Sequence, residues 1–197
     1  MPIPAADHAL FIDATRTWLE RAVIGLNLCP FAKAVHGRHQ IRFQVSIATT
    51  PADLLADLME EMRTLSEGDP AITDTTLLIH PHLLTDFLDY NDFLALADQA
   101  LEDLQLDGIL QVASFHPRYQ FAGTSPDDID NYTNRSPYPT LHLLRESSID
   151  RAVAAFPDAA SIFERNITTM HKLGHAGWDA LNLVPAETTI RLQEPDH

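Results

Sequence analysis

The sequence predicts an α/β fold: a small, mainly parallel sheet of three to four strands with helices packed on it. Two observations carry this expectation. Short apolar or alternating segments are each followed by a stretch with apolar residues at three-to-four spacing, in units of about 30 residues, the size of a βαβ crossover. A chain of 197 residues with 45% hydrophobic and 21% charged residues also suits a single domain with a single core. A ferredoxin-like α+β arrangement, in which segment 140–144 pairs antiparallel, is the alternative. The domain is expected over residues 1–178, with a C-terminal tail over 179–197 that shows no strong pattern.

Each element has its own signature. Leu10, Phe11, Ala14, Trp18, Ala22 and Leu26 recur at helical spacing and predict a first amphipathic helix from Asp7 to about Gly25. Ile41, Phe43, Val45 and Ile47 alternate with polar residues and predict a strand with one buried face. Thr50, Pro51 and Asp53 supply a capping hydroxyl, a proline suited to the first helical position and an early acid, so a second helix runs from there to Gly68. Thr75 to Ile79 is a short apolar run ending in His80-Pro81. Leu83 to Leu104 returns to helical spacing, and Ile109 to Phe115 is a third strand ending in His116-Pro117. Thr140 to Leu144 reads as a fourth strand. Helices follow over 148–156 and 158–173, with Pro157 between them and Gly174 after.

Charge and cysteine content narrow the function. A formal charge of −15 repels phosphate backbones and anionic lipid, so nucleic acid and membrane surfaces are disfavoured partners. The lone cysteine, Cys29, forms no internal disulfide. With no leader-like start and no long apolar run, that predicts a cytoplasmic protein. Of the 13 basic residues 11 are arginine, so a single arginine in a loop means less here than it would elsewhere.

The segment from His116 to Pro139 is too long for an ordinary connection and is rich in side chains that stiffen or bind. It holds Tyr119, Tyr132 and Tyr138, four of the 13 prolines, and His116, Arg118, Asn131, Asn134 and Arg135. Planar guanidinium and amide donors grip carboxylates and phosphates, which makes Arg135 and Asn134, with Arg118, a candidate anion clamp. The same groups also suit capping the loop's own backbone. In an open parallel sheet, ligands bind beyond the carboxyl ends of the strands. If the second and third strands are parallel neighbours, His80 and His116 share that edge and are candidate acid–base residues, within about 10 Å of each other. A proline that merely ends a strand explains the same pattern.

Other constellations are weaker. His82, Cys29 and His142 can be added to His80 and His116 as a zinc set, at spacings that match no zinc motif. Asp86, Asp89 and Asp92 can be read as magnesium ligands, though acids early in a helix simply favour its dipole. Cys29 before Pro30 would sit at a helix N-cap and become a nucleophile. Its apolar neighbours Leu26, Leu28 and Phe31 instead suggest a packing residue.

Several longer motifs carry a resemblance. They are Gly25-Leu26-Asn27-Leu28-Cys29-Pro30-Phe31-Ala32, Asp89-Tyr90-Asn91-Asp92-Phe93, Phe115-His116-Pro117 followed by Tyr119-Gln120-Phe121-Ala122-Gly123-Thr124, and Asn131-Tyr132-Thr133-Asn134-Arg135-Ser136-Pro137-Tyr138-Pro139. Over about residues 8 to 178 the chain resembles a bacterial family catalogued as domain of unknown function 1415. The resemblance implies a single bacterial domain and carries over no reaction, cofactor or catalytic residue. Three functions stay open. One is an enzyme acting on a small anionic metabolite, with Arg135 and Asn134 holding the anion and His116 or His80 as acid or base. The others are a metal-binding or metal-dependent protein built on His80 and His116, and a non-catalytic binding or adaptor module.

Overall fold

A computed structural model describes residues 5–155 and 161–183. Four strands form one sheet: β1 (Ile41–Val45), β2 (Thr75–Ile79), β3 (Leu110–Phe115) and β4 (Thr140–Arg145), in the spatial order β1-β2-β4-β3. β1 and β2 are parallel, while β4 is antiparallel to both β2 and β3. Three strands therefore point the same way and the fourth is inserted between the second and third. The fold is α/β, with a mixed sheet and helices packed around it.

This order corrects one expectation. β2 and β3 share a direction but are not neighbours, because β4 lies between them and follows the antiparallel pairing of the alternative arrangement. The burial patterns agree with the positions. All five residues of β2 are buried, as a central strand covered on both faces requires. β1, at the edge, exposes Arg42 and buries Val45, but the alternation expected through Ile47 stops with the strand at Val45: Ser46 is buried and Ile47 is exposed.

One face of the sheet presents Leu78, Leu110, Leu141 and Leu143. Two helices cover it: α3 (Pro51–Glu67) with Leu54, Leu58, Met62 and Leu65, and α4 (Phe87–Asp103) with Tyr90, Phe93 and Ala97. α3 begins as the sequence predicts, with Thr50 Oγ1 accepting from the Asp53 N–H at 3.2 Å and Pro51 in the first turn. Arg42 of β1 donates to both carboxylate oxygens of Glu61, at 2.7 and 3.0 Å, tying the edge strand to α3. α4 starts at Phe87, later than expected. A turn at residues 81–82 and an irregular stretch over 83–85 come first, and Asp86 caps the helix by accepting from Leu88 N–H.

The second face is covered unevenly. α1 (Ala5–Trp18) lays Phe11 and Ala14 on Val45 and Ile79. The expected single helix to Gly25 is instead α1 followed by a π-helical turn at Leu19–Ile24. Trp18, Leu19, Ala22 and Val23 are buried there. A short α2 (Ala32–Gly37) follows, which the sequence pattern does not reveal. α5 (Glu146–Ala155) leaves β4 without a connecting loop. α6 (Ile162–Asp179) runs past the expected stop, with Gly174 at φ 63° forming a kink rather than an end. Pro157 and the tail from residue 184 lie outside the described residues, whereas Leu183 is buried in the cluster around Trp18.

Candidate functional site

The carboxyl ends of β2 and β3 do bring His80 and His116 to one place, through a third residue. Tyr90 of α4 lies against both imidazoles, stacked on His80 with ring centroids 5.7 Å apart and 5.0 Å from His116. Its hydroxyl donates to Thr140 C=O at 2.8 Å and accepts from Phe115 N–H at 3.1 Å. The two histidines and Arg118 hold three successive carbonyls of the irregular segment before α4. His80 Nδ1 bonds Leu83 C=O at 3.0 Å, His116 Nε2 bonds Leu84 C=O at 3.1 Å, and Arg118 bonds Thr85 C=O at 2.5 Å. Leu84 has φ 55°, an uncommon backbone state for a residue with a side chain.

These bonds fix the tautomers, because a carbonyl only accepts. In His116, Nε2–H donates to Leu84 and Nδ1 accepts the Arg118 N–H at 3.0 Å, so both nitrogens are engaged. In His80, Nδ1–H donates to Leu83, and Nε2 is buried without a partner. Burial holds both imidazoles down to about 4, neutral at ordinary pH. The Leu83 and Leu84 bonds oppose the shift; the other imidazole adds to it at His80, and at His116 Arg118 and Arg135 add to it while Asp86 opposes it. Burial pushes the Tyr90 hydroxyl up.

The long loop is tied to itself. Asn131, fully buried, accepts from Phe121 N–H and Thr124 Oγ1 and donates to Ser125 C=O. The Arg135 guanidinium donates to Tyr119 C=O at 3.3 Å and Pro126 C=O at 2.6 Å and lies 4.0 Å over the Tyr132 ring. Asn134 donates to Ser114 C=O, and its own carbonyl accepts the His116 N–H. The donors read as an anion clamp thus face loop and strand carbonyls. Tyr132 in turn packs edge-on against Trp178 of α6.

Cys29 and His142 lie elsewhere. Cys29 is not at a helix cap: Pro30 falls in a turn, α2 starts at Ala32, and Cys29 C=O accepts the Ala32 N–H at 3.2 Å. The segment before it is spent on closing the π-helical turn, with Leu28 N–H donating to Val23 C=O. Among the described residues no group of three or more His, Cys, Asp or Glu is arranged to hold a metal ion.

Both residues instead line a cavity of about 690 Å³ on the second sheet face. Its floor includes Leu77, Ala113, His142 and Leu144; its walls are Trp18, Leu19 and Val23, Val35 of α2, and Ile149 and Ala152 of α5. Trp18 meets Phe115 edge-on at 5.1 Å, making the end nearest the strand carboxyl termini apolar. At the opposite edge stand Arg38 and Arg151, both exposed, with Asp74 and Ser148. Ser148 Oγ donates to Asp74 at 2.6 Å and accepts from Arg151 at 2.9 Å. Arg145 is buried and donates to the carbonyls of Leu65, Gly68 and Thr73 around the end of α3. Sequence reasoning missed this cavity. The inward positions 75, 77, 111, 113, 115, 142 and 144 follow from strand alternation, but the space above them depends on how far α2 and α5 stand off.

The architecture is therefore that of an open mixed α/β sheet with one packed face and one face holding a large cavity. A family model described as protein of unknown function (DUF1415) matches residues 10–180, and the chain belongs to that family. No curated protein matches the chain, and no solved structure does.

Proposed function

We propose that the chain binds a predominantly apolar small molecule with an anionic end in the cavity between the second sheet face and helices α1, α2 and α5. The observation that carries this reading is the cavity itself, about 690 Å³ with apolar walls and two exposed arginines at one rim. Its size lies in the range of small-molecule sites, roughly 300–1,000 Å³, and its few polar groups suit orientation of a ligand. In a chain of net charge −15, Arg38 and Arg151 make the rim a local positive centre for a carboxylate or phosphate. The small anionic partner expected from the sequence is retained, with an apolar body added and the site moved to the other end of the sheet.

The test compares dodecanoate with dodecyltrimethylammonium as competitors of a fluorescent amphipathic anion. Dodecanoate is expected to displace the probe and to perturb Trp18 fluorescence. Ala152→Trp, which fills the cavity, should abolish displacement while leaving the far-ultraviolet circular dichroism spectrum unchanged. Arg38→Glu with Arg151→Glu should remove the preference for the anion. Equal binding by the blocked variant would reject the site.

A second reading keeps acid–base chemistry at the strand ends, on His80, with His116, Arg118, Asn134 and Arg135 as the further candidates for that site. The buried, unpartnered His80 Nε2 favours it. Ligand-induced chemical-shift changes centred on His80 and Tyr90, rather than on Trp18 and His142, would select this site.

A further inference from the structure

Thr75, at the start of β2, sets the state of His142. The Thr75 hydroxyl lies 2.5 Å from Leu143 C=O and 2.7 Å from His142 Nε2. It has one proton, and the carbonyl has none, so that proton goes to Leu143. His142 must then donate from Nε2–H, and its Nδ1 carries a lone pair. Among the described residues Nδ1 has no hydrogen-bond partner. His142 is registered opposite Leu77 on one side and Ala113 on the other, which puts it in the middle of an apolar floor. Burial keeps the ring neutral, down at about 4, so the lone pair persists at any ordinary pH.

We infer that His142 Nδ1 is the acceptor that reads the ligand: the molecule entering the cavity carries a hydroxyl or N–H partway along its apolar body. This rests on the cavity reading above and adds the chemistry of its recognition. An apolar chain without a donor leaves Nδ1 desolvated and unpaired, whereas a correctly placed donor satisfies it. That difference is worth roughly tenfold in affinity. Thr75 is a positioning residue, since it acts only by holding Nε2 protonated.

The experiment measures binding of dodecanoate and a series of dodecanoates hydroxylated at successive carbons, by displacement of the same fluorescent anion. Wild type should bind one positional isomer about tenfold more tightly than dodecanoate. His142→Phe, which has no acceptor, should bind all the isomers without preference for any one position. Thr75→Val should weaken the preference, and Thr75→Ser should restore it. In ¹⁵N-histidine-labelled wild type, the His142 Nδ1 resonance should lie in the unprotonated range and move when the favoured isomer binds, a readout independent of any variant's folding. Equal affinity for all isomers, a preference that survives in His142→Phe, or a protonated Nδ1 would each overturn the assignment while leaving the cavity reading intact. If dodecanoate itself does not bind, the cavity reading falls and this one with it.

Discussion

Arg135 separates what a residue type suggests from what its surroundings make of it. The guanidinium bridges two carbonyls of its own loop and covers an aromatic face, so its planar fork is used in holding residues 119–135 together. Replacement by lysine keeps the charge but loses the fork and the stacking. Arg135→Lys is expected to cost about 1–2 kcal/mol of stability, read as a lower midpoint in urea. An unchanged midpoint would return the residue to the list of free anion donors. The paired His-Pro signals were legible as strand ends, and both histidines do lie against Tyr90. What the sequence does not distinguish is their states, since His116 has both nitrogens engaged and His80 only one. That difference depends on carbonyls 83 to 85, which belong to an irregular segment whose shape no periodicity encodes.

Elements with strong local chemistry were read correctly, and those defined by tertiary packing were not. α3 announces itself through Thr50 and Pro51, and the four strands by their apolar runs. α2, six residues long, is too short to show a period, and the π-helical turn is a backbone adjustment within an unbroken apolar pattern. Strand order is set by which edges remain open, information that lies in no single segment. Tyr90 is the element-scale counterpart of these failures: one hydroxyl joins α4 to the ends of β3 and β4. Tyr90→Phe removes a donor to Thr140 and an acceptor from Phe115, leaving buried backbone groups unpaired. We expect a loss of about 2–3 kcal/mol, with amide exchange accelerated first at Phe115. A loss no larger than that of an ordinary surface substitution would show that these strand ends are held by the ladder alone.

For the molecule as a whole, three histidines held neutral among the described residues, His80 and His116 buried and His142 partly buried, shape the response to acid. His80, His116 and His142 are each held at about 4 against an ordinary 6.5. Above 6.5 neither the folded nor the unfolded chain protonates them, and their contribution is constant. As pH falls from 6.5 to 4, the unfolded chain takes up protons that the folded chain refuses, so stability declines by up to about 3 kcal/mol for each histidine. A domain stable by about 5–15 kcal/mol should therefore lose much of its margin near pH 5. Urea midpoints measured from pH 7.5 to 4.5 should fall with a slope approaching three protons bound on unfolding. A flat profile through pH 5 would mean that the imidazoles gain solvent or partners in the folded protein.

The insertion of β4 between β2 and β3 governs the order in which the chain can complete itself. When residues up to Phe115 have emerged during synthesis, β2 and β3 share a direction but face each other across an empty slot one strand wide. Neither can satisfy its inner backbone groups until the chain has made the further excursion to Thr140. Among the described residues the last strand in sequence is thus the keystone in space: β1 and β2 can pair early, but the β2–β4 and β3–β4 ladders wait until nearly three quarters of the 197 residues are available. During that interval two inner strand edges are open to wrong partners, a hazard inherent in building a sheet from the outside inward.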